Sequence, residues 1–470
     1  MNRRDFLKAA AVGSTSIALS PWVSGTLLAA DDKSTKKPNI ILIMADDLGY
    51  ECMGANGSTS YKTPVFDRLS CKGMRFEHCY AQPLCTPTRV KIMTGISNVR
   101  NYERFGLLPR DETTFAQLFK KAGYATCVVG KWQLGQQPDY PQHFGFDESC
   151  LWQHMRGSRD KDGHDTRYAG PTLEINGKPM KFPGRYGPDV VSDFACDFME
   201  KHKNEPFLVY YPMILVHCPF CPTPDSQHWD SNSNGSLQYK GDPKYFGEMV
   251  TYMDKLIGKV VDKVRQLGLA DNTLILFLSD NGTDGPVVSQ MGNKAVPGEK
   301  GNHSDNGTRV PLVAYCPGLI PEGKVCSDIV DVSDFLPTIC EAAGIEVPAK
   351  LKIDGHSFMP QLRGKKGMPR EWIYMWYNEA GGMTAKFEFA RNQKYKLFRS
   401  GQFLDMTDGY APKVLDVNNL SDEQHQVHVM LLGALDRYKD TRPAKFARDQ
   451  KKPVAQKKKK ASSAMKKSKE

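Results

Sequence analysis

Ile40-Ile41-Leu42-Ile43-Met44-Ala45-Asp46-Asp47-Leu48-Gly49 is an unbroken apolar run that ends abruptly in two acids and a glycine. A strand turns successive side chains to opposite faces, so a run without polar breaks is apolar on both faces. That is the pattern of a strand in a sheet covered by helices above and below. The same kind of run returns at Ala125–Val129, Phe207–Tyr211, Leu274–Leu278 and Pro311–Tyr315. Helix-period stretches lie between them, near Thr63–Cys71, Thr114–Ala122, Val190–His202 and Ser333–Ala343. A longer one covers Tyr245–Leu267, where Phe246, Met249, Val250, Met253, Ile257, Val260, Val261 and Val264 recur at three- and four-residue spacing. The alternation predicts an α/β fold, a large mixed and mostly parallel sheet sandwiched by helices. From Glu371 the rhythm changes. Trp372–Tyr377, Lys386–Ala390 and Tyr395–Arg399 read as short strands and Glu423–Tyr438 as a helix, which predicts a small C-terminal antiparallel sheet with one helix. The expected organisation is an export segment over 1–30, the main α/β domain over 31–370, an α+β subdomain over 371–440 and a Lys-rich disordered tail over 441–470.

The formal charge of +10 on 470 residues is carried by the ends. Residues 1–8 hold +2 and residues 451–470 hold +8, so the body from Asp31 to Gln450 is neutral. Net charge therefore gives no reason to expect a nucleic-acid partner. Asn2-Arg3-Arg4-Asp5-Phe6-Leu7-Lys8, followed by an uncharged stretch to Ala30, resembles a twin-arginine export signal, which predicts a periplasmic or secreted protein. No other stretch is apolar for long enough to span a bilayer, so the mature chain is expected to have no integral membrane span. An exported chain with 12 cysteines has the option of disulfides. Cys218-Pro219-Phe220-Cys221 reads as a local disulfide or two quiet thiols.

Three short segments carry candidate chemistry. Asp46 and Asp47 emerge at the carboxyl end of the first strand, where open α/β sheets bind ligands. Ser279-Asp280-Asn281-Gly282 follows another apolar strand in the same way. The oxygens of Asp46, Asp47, Asp280 and Asn281 are hard donors suited to Ca2+ or Mg2+. Cys85-Thr86-Pro87-Thr88-Arg89 opens a third segment, in which Pro87 suits a helix's first turn and places Cys85 at an anion-attracting N-terminus. On chemistry alone Cys85 is a candidate low-pKa thiolate nucleophile, with Arg89 one turn on.

Cys85-Thr86-Pro87-Thr88-Arg89, running on through Val90-Lys91-Ile92 to Met93-Thr94-Gly95, resembles the signature of the sulfatase family, Cys-x-Pro-Ser-Arg then three residues and Leu-Thr-Gly. Thr88 stands for the usual Ser and Met93 for the usual Leu. The resemblance extends from Pro38 to about Tyr438. Asp46-Asp47-Leu48-Gly49 and Asp280-Asn281-Gly282 match the family's metal motifs, His217 its central histidine, and Lys300-Gly301 through Gly307-Thr308-Arg309-Val310-Pro311 its second lysine motif. Gly130-Lys131-Trp132-Gln133-Leu134-Gly135 matches Gly-Lys-Trp-His-Leu-Gly except at Gln133.

The resemblance implies a sulfuric ester hydrolase in which a maturation enzyme converts Cys85 to formylglycine. It implies Ca2+, with Mg2+ as the alternative, bound by Asp46, Asp47, Asp280, Asn281 and the modified Cys85. Arg89 would hold the formylglycine, Lys131 and Lys300 would bind sulfate oxygens, and His217 would protonate the leaving alcohol. The family's histidine at position 133 is a candidate base for releasing sulfate. Gln133 can hold a hydroxyl but cannot take its proton; His303 or a water held by Gln133 is the expected substitute. The expected substrate is a sulfated small molecule or polysaccharide. Two readings compete: a phosphonate or phosphate ester hydrolase of the same superfamily, and a catalytically impaired protein that binds sulfated glycans. Trp152–Tyr186 shows no strand–helix rhythm, and its His154, Arg156, Arg159 and His164 are candidate sugar or sulfate contacts.

Overall fold

A computed structural model describes residues 36–451. The opening run is the strand Asn39–Ala45, with every residue buried. Its side chains alternate between two cores. Ile40, Leu42 and Met44 join one cluster and Ile41, Ile43 and Ala45 the other. Both faces are covered, which is why no polar residue interrupts the run.

The strand sits inside a ten-stranded mixed sheet. From one edge the order is Lys324–Asp331, Met74–Tyr80, Arg309–Tyr315, Thr273–Ser279, Asn39–Ala45, Phe207–Pro212, Ala125–Lys131, Glu148–Trp152, Thr172–Ile175 and Lys178–Lys181. The five strands from Thr273–Ser279 to Glu148–Trp152 are parallel to one another. Helix Cys85–Thr94 and helices Phe115–Lys121 and Phe335–Ala342 cover one face. Helices Pro64–Lys72, Gly187–Lys201 and Phe246–Gln266 cover the other. All eight apolar residues expected to face inward on the last of these are buried.

The α/β expectation and the small C-terminal sheet are both present. Ile373–Tyr377, Phe387–Arg391, Tyr395–Phe398, Phe403–Asp405 and Lys413–Val414 form a five-stranded antiparallel sheet, with helix Asp422–Arg437 beside it. The two sheets share one core, since Tyr374, Leu397 and Leu435 belong to the same cluster as Leu42 and Leu312. The chain changes sheets near residue 370, and the small sheet adds a cluster of its own from Met375, Phe389, Phe398, Leu404 and Met406.

Two expectations are corrected by the structure. Trp152–Tyr186 contains a hairpin, Thr172–Ile175 with Lys178–Lys181, turned by Asn176-Gly177 with both residues at positive φ. Asn-Gly is the residue pair such a turn needs, and the polar strands around it hid the pattern. The tail begins later than 441. Arg442 donates to the carbonyls of Gly382 and Asn98, and Phe446 is buried. The export signal over 1–30 and the tail beyond 451 lie outside the described residues. Among the described residues no helix is long and apolar enough to cross a membrane. All 12 cysteines are unpaired. Burial pushes the thiols of Cys218 and Cys221 up to about 11 and 12, so this pair is the quiet-thiol alternative.

Candidate active site

The site is assembled where the parallel strands end. Ala45 lies opposite Ser279 in the pairing of their two strands. The next residues, Asp46 and Asp280, therefore leave the sheet side by side. The Asp280 amide donates to the Ala45 carbonyl at 3.1 Å, and the Asp47 amide donates to Asp280 Oδ1 at 3.2 Å. Asp47 has φ 63°, a left-handed backbone that short polar side chains tolerate. Past Asn281, a Cβ on Gly282 would lie 1.7 Å from the Asn306 carbonyl oxygen, so only glycine lets the two loops pass.

Helix Cys85–Thr94 points its first residue at this spot. The Thr88 hydroxyl donates to the Asp280 carbonyl at 2.6 Å and accepts from the Gln82 amide at 2.9 Å, which pins the helix start to the second acid. Arg89 is wholly buried. Its Nη2 lies 2.9 Å from Asp280 Oδ2 and its Nη1 donates to the Lys131 carbonyl at 2.8 Å. Lys131 Nζ contacts Asp46 Oδ2 at 2.7 Å, and Lys300 Nζ contacts Asp47 Oδ2 at 2.6 Å. Lys131 is the last residue of its strand, and Gly130 before it, at φ 115°, has to be glycine because a Cβ there would strike the Pro212 carbonyl. His217 Nε2 stands 3.6 Å from Asp47 Oδ2. Ligand atoms of Asp46, Asp280 and Cys85 lie within 4.8 Å of one another, as do those of Asp46, Asp47 and His217.

Three carboxylates, Asp46, Asp47 and Asp280, thus face three fixed cations, Arg89, Lys131 and Lys300. The buried oxygens Asp46 Oδ1 and Asn281 Oδ1 have no hydrogen-bond partner. An unsatisfied buried acceptor costs about 1–3 kcal/mol. Two such oxygens within an all-oxygen donor set fit a hard divalent cation. Added to a balanced set of charges, a divalent ion would leave the site net positive and suited to an anion.

Burial raises Asp46 and Asp47, yet their neighbours outweigh it. Lys131, His217, Arg89 and Lys300 hold Asp46 below the usual carboxylate range, and His217 and Lys300 lower Asp47. Burial and then the charge of Asp46 push Asp280 up to about 7, against Arg89. Burial opposes the charge on Lys300, but Asp47 keeps it firmly protonated. Burial pulls His217 below its ordinary value, against the charge of Asp47. Burial also raises the Cys85 thiol, even with Lys131 and Lys300 nearby. The low-pKa thiolate suggested by the helix N-terminus is therefore corrected: desolvation exceeds the pull of the lysines and the helix end.

The structure gathers Cys85, Arg89, Lys131, His217, Lys300, Asp46, Asp47, Asp280 and Asn281 in one place. Gln133 joins through its neighbour, because the Thr86 hydroxyl donates to Gln133 Oε1 at 3.3 Å. His303 does not join. It packs edge-on against Phe387 and Phe398 and makes no side-chain hydrogen bond to a site residue. Three of the four candidate sugar contacts have partners elsewhere. His154 is buried against Trp132 with Nε2 on the Gln137 carbonyl, Arg159 ties Gly163 to Leu237, and His164 lies 3.6 Å from Asp160. Arg156 is exposed and makes no side-chain hydrogen bond among the described residues.

Two residues escape a reading of the sequence. Arg167 is buried, gripped by Asp165 through Nε and Nη2 at 2.8 Å each, stacked 4.1 Å over Trp152, and within 2.8 Å of His217 Nδ1 through Nη1. The pattern Asp165-Thr166-Arg167 in a polar loop is the available signal. Arg391, on the small sheet, closes a buried ion pair with Asp305, and Lys396 donates to the His303 carbonyl at 2.8 Å. The small sheet therefore holds the loop that carries Lys300.

Comparison with known proteins agrees with this geometry. Residues 38–345 match the Sulfatase family model, and residues 299–431 match the model described as N-sulphoglucosamine sulphohydrolase, C-terminal. Arylsulfatase A of Bos taurus is 31% identical over 413 residues, covering 80% of this chain and 77% of the relative. N-acetylgalactosamine-6-sulfatase of Homo sapiens is 27% identical over 435 residues, covering 84% and 80%. The crystal structure of Ps i-CgsB in complex with k-i-k-neocarrahexaose superposes with a TM-score of 0.71 at 27% identity, covering 87% of this chain and 94% of that one. With matched motifs converging at one set of strand ends and a family model spanning most of its length, the chain belongs to the sulfatase family and is a sulfuric ester hydrolase.

Proposed function

We propose that the protein cleaves a sulfate monoester, of a sulfated carbohydrate or an aryl alcohol, with Cys85 acting as formylglycine and a hard divalent cation held by Asp46, Asp47, Asp280 and Asn281. The carrying observation is the pair of unpartnered buried oxygens, Asp46 Oδ1 and Asn281 Oδ1, beside the start of the Cys85 helix. When bound, a cation such as Ca2+ or Mg2+ supplies Lewis-acid activation of the nucleophile and positive charge for the sulfate. A thiol raised by burial is a weak nucleophile at neutral pH, which favours the modified residue over cysteine itself. Lys131 and Lys300 offer ammonium donors to the sulfate oxygens, where negative charge must be stabilised in a dry site. Arg89 anchors the helix start to Asp280 and keeps the nucleophile in line. His217, with Nε2 toward Asp47, is the proton donor to the departing alcohol oxygen. Gln133 orients a hydroxyl or water through its amide.

A relative that is an N-acetylgalactosamine-6-sulfatase and a neighbour solved with a neocarrahexaose support a carbohydrate ester. The twin-arginine pattern of residues 1–30 supports export to the periplasm or beyond, which N-terminal sequencing of the protein recovered outside the cytoplasm tests.

Mass spectrometry of the Cys85 peptide, run beside an assay of inorganic sulfate release, tests the chemistry. We expect formylglycine at position 85 in active material. Full activity with an unmodified thiol would sink the proposal. Faster release from matched phosphate or phosphonate esters would assign the competing ester class. Tight binding of a sulfated polymer with no release would make the protein a glycan binder.

A further inference from the structure

Three successive backbone amides of the first acidic loop end on three side chains around the second. The Asp47 amide donates to Asp280 Oδ1 at 3.2 Å, the Leu48 amide to the Ser279 hydroxyl at 3.1 Å and the Gly49 amide to the Thr283 hydroxyl at 3.0 Å. Asp280 belongs to the cation's donor set, and Ser279 is the last residue of the strand before it. Thr283 lies past the Asp280-Asn281-Gly282 turn, buried and outside that donor set.

The Thr283 hydroxyl has an anchor of its own. It donates to Glu51 Oε1 at 2.5 Å while accepting from Gly49, and Cys52 Sγ lies 3.3 Å from the same oxygen. Glu51 is 1% exposed. Its carboxyl folds back against Gly49, where a Cβ would lie 2.2 Å from Glu51 Oε2. Burial raises this carboxyl above its ordinary value, with the Thr283 hydroxyl pulling the other way. No ion pair reaches Glu51 among the described residues. A buried acid without a cation costs more than an apolar side chain of the same size, so packing does not account for it.

The backbone of Thr283 reaches a third part of the site. Its carbonyl accepts from the Lys300 amide at 3.0 Å. The hairpin of Val288–Met291 with Lys294–Pro297 rises between these two residues, so Thr283 and Lys300 are its two feet. One residue thereby holds the loop of Asp46 and Asp47, continues the loop of Asp280 and Asn281, and fixes the backbone of Lys300.

We infer that Thr283 and Glu51 are positioning residues for the cation site. The hydroxyl, held by the carboxyl, sets the spacing of the two loops whose oxygens bind the ion, and neither residue is itself a ligand. Partners one step removed from the ligands govern metal affinity by about 10–100-fold. This inference rests on the divalent-cation reading above.

The test titrates chelator-stripped full-length protein with Ca2+, and in a parallel run with Mg2+, by isothermal calorimetry, and records melts with and without the ion. Thr283→Val removes the hydroxyl at nearly constant shape, Thr283→Ser keeps it, and Glu51→Met removes its anchor. We expect Thr283→Val to bind the ion at least tenfold more weakly, so that the rise in melting temperature on adding the ion shrinks. Thr283→Ser should retain most of the affinity. Glu51→Met takes a lone acid out of the interior, so its ion-free melting temperature should hold or rise while its affinity still falls. That variant carries the test if Thr283→Val does not fold. Unchanged affinity in a folded variant, with melting temperature lost equally with and without the ion, overturns the role of that residue and leaves the cation reading standing. A loss in Thr283→Ser as large as in Thr283→Val overturns the role of the hydroxyl. No binding of either ion to wild type overturns both readings.

Discussion

Arg167 Nη1 lies 2.8 Å from His217 Nδ1, a buried contact that orients the imidazole. The Cys218 carbonyl lies against the same nitrogen, so two neighbours hold the ring with Nε2 toward Asp47. Arg167→Met should lower kcat at least tenfold. It also strands Asp165, and breaking a buried pair costs roughly 3–5 kcal/mol. The double variant Asp165→Leu/Arg167→Met should therefore regain most of the melting temperature while kcat stays low. Recovery of kcat along with stability would show that the pair acts only in folding.

Asp46→Ala and Asp280→Ala should each lose bound metal and at least two orders of magnitude in rate, about 3 kcal/mol of transition-state stabilisation. Both acids touch a cation of the site, Lys131 and Arg89 respectively, so some loss is purely electrostatic. Elemental analysis separates the two effects. A resident cation also stabilises the fold by mass action, so chelation should lower the melting temperature of wild type and leave that of a metal-free variant unmoved. Full activity after exhaustive chelation with no residual metal would contradict the assignment.

Gln133→His should change release of inorganic sulfate more than the initial burst of alcohol. The groups needed for attack are all gathered, whereas His303, the expected substitute base, is packed against Phe387 and Phe398. Histidine tolerates the left-handed backbone at this position, so the substitution should fold. Burst kinetics on a chromogenic sulfate ester distinguish the steps. An altered burst with unchanged steady-state sulfate release would remove position 133 from the release step.

Lys396 gives a pH signature remote from the metal ligands. It is buried on the small sheet, and burial followed by the charge of Arg391 pushes its pKa down to about 7, against Asp305. The unfolded chain holds that proton up to about 10.5. Between these values the unfolded state binds more protons, so stability contributed at this site rises with pH across the window. Lys396→Met should flatten that rise and raise the melting temperature near neutral pH, provided the contact with the His303 carbonyl is dispensable. An unchanged slope in urea titrations at pH 7 and pH 9.5 would contradict it. Arg391→Met should instead destabilise, because it leaves Asp305 buried and unpaired beside the Lys300 loop.

Much of the site is legible in the amino-acid sequence because its pieces are local. Asp46, Asp47, Asp280 and Asn281 each stand directly after an apolar run, and a strand buried on both faces announces itself by having no polar breaks. Cys85 is legible through Pro87 and Arg89, which belong to one helical turn. Strands at or near the sheet edges, such as Met74–Tyr80 and Lys178–Lys181, escape notice because they mix charged and apolar residues. The hairpin at Asn176-Gly177 is hidden for the same reason. Other features depend on which strands become neighbours: Arg167 on His217 at 50 residues' separation, Arg391 on Asp305 at 86, and Thr86 joined to Gln133 at 47. Periodicity reports whether a segment is buried, not what it is buried against. Residue order alone sets the strand ends and the reactive groups they carry. The crossovers of the ten-stranded sheet bring distant segments together, and they alone bury Cys85 among the site's charges, carry Arg167 to His217, and open Gln133 onto a cavity.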